Sequence, residues 1–157
     1  MKKDNTGLKI GAIFTVPLII LSIIIIGFLR YFDNYSYIIN ESWNIKIPRD
    51  YEEIYKKDSG ASFNGDGQRY HIFKYEKSEK INDIVSWSDT ADLYQGKNRF
   101  LEEEVTKILS SLEVPSEYYP SYQGGYMYYY EAKEDSSRIF MLHDYNSNML
   151  YVVEDYM

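Results

Sequence analysis

YMYYYEAKEDSSRIFMLHDYNSNMLYVVEDY, Tyr126 to Tyr156, holds three runs of tyrosine and apolar residues separated by two short polar clusters. The runs YMYYYEA, SRIFMLHDY and MLYVVEDY read as strands, and the polar breaks rich in Asp, Asn and Ser read as turns. Breaks this short permit hairpins and exclude crossover helices, so the three strands form an antiparallel meander.

Upstream, Phe100, Leu101, Val105, Ile108, Leu109 and Leu112 fall on one half of a helical wheel, with Glu102, Glu103, Thr106 and Lys107 on the other. That spacing predicts an amphipathic helix from about Asn98 to Leu112. Pro115 and Pro120 then bracket a loop. Further upstream, Gln68 to Tyr75 reads as a strand. Before it, Asn64-Gly65-Asp66-Gly67 overlaps two hairpin-turn signals after a brief strand at Ala61 to Phe63. Ser78 is placed to cap a helix carrying Ile81, Ile84 and Val85. Tyr51, Ile54 and Tyr55 recur at i, i+3, i+4 behind Pro48 and predict a short helix. From about Tyr37 to Ile47, Trp43, Ile45 and Ile47 alternate with Asn44 and Lys46, which predicts a half-buried strand stopped by Pro48. The elements do not alternate in βαβ fashion. The expected fold class is therefore α+β, a mainly antiparallel sheet with helices packed on one face.

The N-terminus is of a different character. IGAIFTVPLIILSIIIIGFL, residues 10–29, runs twenty residues without a charge, and a helix of that length spans the roughly 30 Å hydrocarbon core of a bilayer. The run exceeds the h-region of a secretory signal and ends in Gly-Phe-Leu-Arg without a small-x-small cleavage site, so it predicts an uncleaved transmembrane anchor. Lys2, Lys3 and Lys9 precede it, and Arg30 is the only basic residue in the next fifteen, which orients the N-terminus to the cytoplasm. Tyr31, Phe32, Tyr35 and Tyr37 suit an outer interfacial belt. The expected organisation is a cytoplasmic N-terminus over residues 1–9, a transmembrane helix over 10–29, a juxtamembrane stalk over 30–37 and an extracytoplasmic α+β domain over 38–157, in the cell membrane.

Beyond Arg30 stand 13 basic and 23 acidic residues, a net charge of −10. That balance argues against nucleic acid and favours cations, a cationic peptide or an envelope protein as partner, besides the lipid bilayer held by the N-terminal helix. With no cysteine, the domain depends on its core for stability, and no lipid-modified cysteine is present as an anchor. The heavy use of Ile, Lys, Asn and Tyr matches an AT-rich bacterial genome.

Candidate sites are few. The glycines of Asn64–Gly67 open a strand, which suits a hairpin and not a phosphate loop. His71 shares a strand face with Arg69, Phe73 and Tyr75, and His143 shares one with Ile139, Met141 and Tyr145; neither has the local spacing of a zinc ligand pair. Asp144 to Asn148 resembles the start of a calcium loop but has Met149 where glycine is required, so it reads as a turn. Glu102, Glu103 and Glu104 point in different directions on a helix, with Glu103 and Lys107 as an i, i+4 pair. No nucleophile elbow or cysteine nucleophile is present, and no cofactor or metal is expected.

All eighteen tyrosines lie beyond Arg30. Tyr126, Tyr128 and Tyr130 alternate along one strand face with Tyr122 in the loop before it, and an exposed row of such rings is a good ligand-binding surface. The sequence thus predicts a membrane-anchored, non-catalytic binding module of the cell envelope. The alternative is an anchored hydrolase or metal-dependent enzyme using His71 or His143 with a nearby carboxylate.

Overall fold

The computed structural model describes residues 17–25, 35–60, 66–90 and 97–157. They belong to two units, Met1–Ile47 and Pro48–Met157.

In the first unit, residues 17–25 are helical (α1). Its large apolar side chains, Leu18 to Ile25, are each between 48% and 64% exposed. Ser22 returns its hydroxyl to the carbonyls of Leu18 at 3.0 Å and Ile19 at 2.8 Å, so its polar group is satisfied within the helix. Among the described residues no helix is long and apolar enough to cross a membrane. The rest of the expected span, residues 10–16 and 26–29, and the expected stalk up to residue 34 lie outside the described residues.

Helix α2, Tyr35–Trp43, stands where a strand is expected. Tyr35, Ile39 and Trp43 are its large buried residues, spaced four apart as one helix face requires. Asn44 ends the helix at φ 55°, its N–H donating to Asn40 O at 2.8 Å, the left-handed C-terminal stop that asparagine tolerates. Beyond it Ile45 and Ile47 are buried while Asn44 and Lys46 are exposed. The alternation read from the sequence is therefore real, but the segment joins no described strand.

The second unit is built on a six-stranded antiparallel sheet in the order β1-β2-β6-β5-β4-β3. The meander is as read: β4 Met127–Ala132, β5 Arg138–Asp144 and β6 Met149–Tyr156. The β5–β6 turn is held by Asp144, whose Oδ1 accepts the Asn146 N–H at 2.9 Å and whose Oδ2 accepts the Ser147 hydroxyl at 2.7 Å, with Asn148 at φ 56°. This is turn chemistry in place of cation ligation. Strand β2, Gly67–Lys74, pairs along the whole of β6, from Gly67 with Tyr156 to Lys74 with Met149.

Residues 52–58, expected to begin within a helix, form strand β1, Glu52–Asp58, against β2. The i, i+3, i+4 spacing of Tyr51, Ile54 and Tyr55 is overridden by this hairpin, which closes through Ser59 N–H to Gln68 O and Gln68 N–H to Ser59 Oγ, both at 2.9 Å. The brief strand expected at Ala61–Phe63 lies outside the described residues. The helix expected from Ser78 is a single 3-10 turn, Ser78–Lys80, capped by no side chain. Ile81 is buried nonetheless, and its carbonyl accepts the Trp87 indole N–H at 2.9 Å. Strand β3 is only Ser88–Asp89. Both sheet edges are thus poor templates for a further strand, one charged and bulged between Glu53 and Tyr55, the other two residues long.

Helix α3, Arg99–Ser111, matches its expectation, with Asn98 Oδ1 accepting the Leu101 N–H at 3.2 Å as N-cap. Leu101, Val105, Ile108 and Leu109 join Tyr70, Ile72, Phe140, Leu142 and Val153 of the sheet in one core. Phe100 does not: it is 57% exposed, because it precedes Leu101 and so stands about 100° round the helix from it. The opposite sheet face is also buried, through Phe73, Ile139, Met141, Leu150 and Val152. Burial on both faces explains the nearly unbroken apolar runs of β5 and β6.

A polar clamp docks α3. Arg138 of β5 donates to Glu104 of α3 at 2.7 Å and pairs closely with Asp155 of β6. Asp155, 5% exposed, also accepts from Gln68 Nε2 at 3.1 Å, and Gln68 in turn accepts the Ser111 hydroxyl. Arg138→Ala leaves a buried carboxylate unpaired and is expected to destabilise the domain by about 3 kcal/mol. Urea unfolding followed by tryptophan fluorescence measures this, and an unchanged midpoint would show the clamp to be dispensable.

Candidate functional site

The even-numbered residues of β4 face α3, which decides where the candidate tyrosines stand. Tyr126, just before the strand, is 1% exposed and donates its hydroxyl to Glu102 Oε1 at 2.8 Å. Burial first, then the Glu102 carboxylate, pushes that hydroxyl's pKa far up. Tyr128 is half-buried against the core. Tyr130 is 40% exposed, with its ring 5.0 Å from Phe140 and 5.9 Å edge-on from Phe100. Tyr122 is half-buried, its ring 5.9 Å from Tyr126 and its hydroxyl 3.4 Å from Thr106 Oγ1. The continuous exposed row expected from the sequence is therefore broken: Tyr126 belongs to the core, Tyr122 and Tyr128 are half-buried against it, and Tyr130 is the one of the four that stands exposed.

Tyr122 lines a groove of about 610 Å³ along the polar flank of α3. Thr106 and Ser110 supply hydroxyls to its lining, and Tyr119 donates to Ser110 Oγ at 3.5 Å. Burial pushes the Tyr122 hydroxyl pKa up to about 12, so it is a neutral donor at any physiological pH. The charged lining comprises Lys97, Arg99 and Lys107 with Glu102 and Glu103. Glu102 is engaged by Tyr126, and Glu104 points away to Arg138, as successive helical positions require. The ion pair expected between Glu103 and Lys107 is absent, and among the described residues none of the three cations is ion-paired. Sequence reasoning passed over Lys97, Arg99 and Ser110, because a polar helix flank beside a groove has the same pattern as one facing bulk water.

The two histidines lie elsewhere, on the other sheet face. His71 meets Glu53 of β1 through Nδ1 at 2.8 Å and stacks on Phe73 at 5.5 Å. Burial lowers its pKa, opposed by the Glu53 carboxylate. His143 is fully buried with the Trp87 ring 5.8 Å away, and among the described residues neither ring nitrogen has a hydrogen-bond partner. Burial lowers its pKa too. The histidine–carboxylate pairing considered from the sequence is thus met at His71 alone, and neither imidazole lines the groove. Among the described residues no group of three or more His, Cys, Asp or Glu side chains is placed to hold a metal ion.

A second hollow of about 380 Å³ lies beside the Asp50–Lys80 ion pair, between Tyr51, Lys74 and Tyr75. Its lining carries Asp50, Glu52 and Glu76 against Lys74 and Lys80, and of these only Asp50 and Lys80 form an ion pair among the described residues. No protein family, curated protein or solved structure matches the chain.

The buried imidazoles carry a pH dependence of definite sign. Both are held below the usual value of about 6.5, so as the pH falls through that value the unfolded chain binds protons that the folded domain does not. Stability present above pH ~6.5 is lost on the way down to the depressed folded values. The melting temperature is expected to drop between pH 7.5 and pH 5.5, and His143→Leu to diminish the drop. An undiminished drop in that variant would remove His143 as a source.

Proposed function

We propose that this chain is a single-pass membrane protein whose acidic, tyrosine-rich extracytoplasmic domain is a non-catalytic binding module of the cell envelope. The observation that carries the anchor is α1, in which seven large apolar side chains of residues 18–25 stand about half exposed or more. Water would penalise such a surface and a bilayer would not. The uncharged run over residues 10–29 has the length such a span needs, and Lys2, Lys3 and Lys9 on its N-terminal side set the orientation.

Support for binding comes from the second unit. It buries both faces of its sheet, protects both edges, and still leaves a groove lined by three cations that form no ion pair among the described residues, two hydroxyls and a tyrosine. A depression lined by charged and hydroxyl groups beside a docked helix suits a polar or charged partner. The partner is an envelope protein or a peptide reached from outside the bilayer.

A second reading, an anchored envelope hydrolase or metal-dependent enzyme, draws on the 2.8 Å pairing of His71 with Glu53. A carboxylate that orients an imidazole is half of an acid–base arrangement. The His71 side chain is 11% exposed, so a substrate has little ring to reach. Turnover lost in His71→Gln and kept in His143→Gln would favour this reading over the first.

Topology tests the leading proposal. Protease added to intact cells is expected to remove the C-terminal domain and leave an N-terminal tag protected, with the protein in the membrane fraction after alkaline carbonate washing. Full protection of the C-terminal domain, or release by carbonate, would refute it.

A further inference from the structure

The groove along α3 differs in sign from the domain that holds it. The extracytoplasmic sequence carries net −10, yet the groove has Lys97, Arg99 and Lys107 against Glu102 and Glu103, and Glu102 is already bonded to Tyr126. Three exposed cations without an ion partner among the described residues therefore face two acids, one of them hydrogen-bonded to Tyr126, a formal local excess of one positive charge. Helix stability does not account for their place. Cations are favoured in a helix's last turn, where α3 has none, whereas Lys97 and Arg99 stand at its positive end.

The charges also have an order. Arg99, Glu103 and Lys107 follow one another at four-residue steps, so a positive, a negative and a positive group are set about 6 Å apart along the helix, about 12 Å end to end. An extended peptide rises about 3.3 Å per residue and points alternate side chains the same way, so residues 1, 3 and 5 of such a peptide match these steps. Thr106, Ser110 and Tyr122 place hydroxyls in the same groove; Thr106 and Tyr122 bond each other and Ser110 accepts from Tyr119, and each hydroxyl keeps capacity for a peptide N–H or C=O group.

On the reading of this domain as a binding module, we infer that the groove takes an extended peptide segment with an acid–x–base–x–acid pattern, its two carboxylates meeting Arg99 and Lys107. The ligand is thus recognised by local charge order, against the sign of the domain's net charge. Lys97 adds a further cation at the Arg99 end. Screening over about 8 Å at physiological salt keeps the remote acidic surface from cancelling this local attraction.

The test uses the full chain in detergent micelles and a fluorescent peptide with Glu-Ser-Lys-Ser-Glu at its centre, beside its charge-swapped counterpart Lys-Ser-Glu-Ser-Lys and inorganic polyphosphate. The acid–base–acid peptide is expected to bind about tenfold or more tighter than its counterpart, and Arg99→Glu and Lys107→Glu each to weaken it about tenfold. Arg99→Gln and Tyr122→Phe, milder changes, are expected to weaken it less, with melting temperatures kept. Preference for the charge-swapped peptide, or equal affinity for the two, overturns the inferred ligand while leaving the module standing. Binding of polyphosphate alone also overturns it, assigning the groove to a polyanion. If none of the three binds, the groove proposal falls. Surface crosslinking of intact cells then tests the module separately, since a crosslinked partner keeps it and none removes it.

Discussion

The docking of α3 through Arg138 is the constraint on which the functional surface depends. A guanidinium held between Glu104 and Asp155 ties the helix to β5 and β6, and Gln68 extends the tie to β2 and back to Ser111. Apolar packing alone is tolerant of sliding, because one leucine contact resembles the next. A charged pair with a nearly buried member is not, since a small displacement leaves a carboxylate unpaired. The clamp therefore fixes the height and roll of α3, and with them the groove on its far flank.

What was legible in the sequence followed from how many independent signals each segment carries. α3 and its C-cap carry five apolar residues that reach the core, Leu101, Val105, Ile108, Leu109 and Leu112, behind a capping asparagine, and the meander has three runs with turn chemistry between them, so both are readable nearly to the residue. Segments with one signal were not. Tyr35 to Ile47 contains a helical spacing, Tyr35, Ile39 and Trp43, and an alternating tail, Trp43, Ile45 and Ile47, and the helix ends where Asn44 supplies its stop. Tyr51, Ile54 and Tyr55 have helical spacing, but β2 offers residues 52–58 a ladder of backbone hydrogen bonds that the isolated spacing cannot reveal. At the site, the tyrosine alternation on β4 was correctly read as one face, but which face lies under α3 is a property of the tertiary structure. The groove cations were hidden for the same reason.

Charge acts on the domain at two length scales. Its net negative charge acts out to about a Debye length from the surface, governing solubility and repulsion from anionic surfaces. The groove acts over a few ångströms. A surface can be acidic as a whole and select an acidic pattern locally, provided the pattern is ordered and the local cations are not spent on internal ion pairs.

The strand order has a consequence for how the domain is made. β6 follows the five other strands in the chain, yet it lies between β2 and β5. The β1–β2 hairpin on one side and the β3–β4–β5 portion on the other have no hydrogen-bonded ladder between them until β6 is inserted. The β2–β6 ladder that joins the two portions pairs residues far apart in sequence, from Lys74 with Met149 to Gly67 with Tyr156, and contacts of that kind form slowly. The central ladder cannot close before residues 149–156 are available, so completion of the sheet waits on β6.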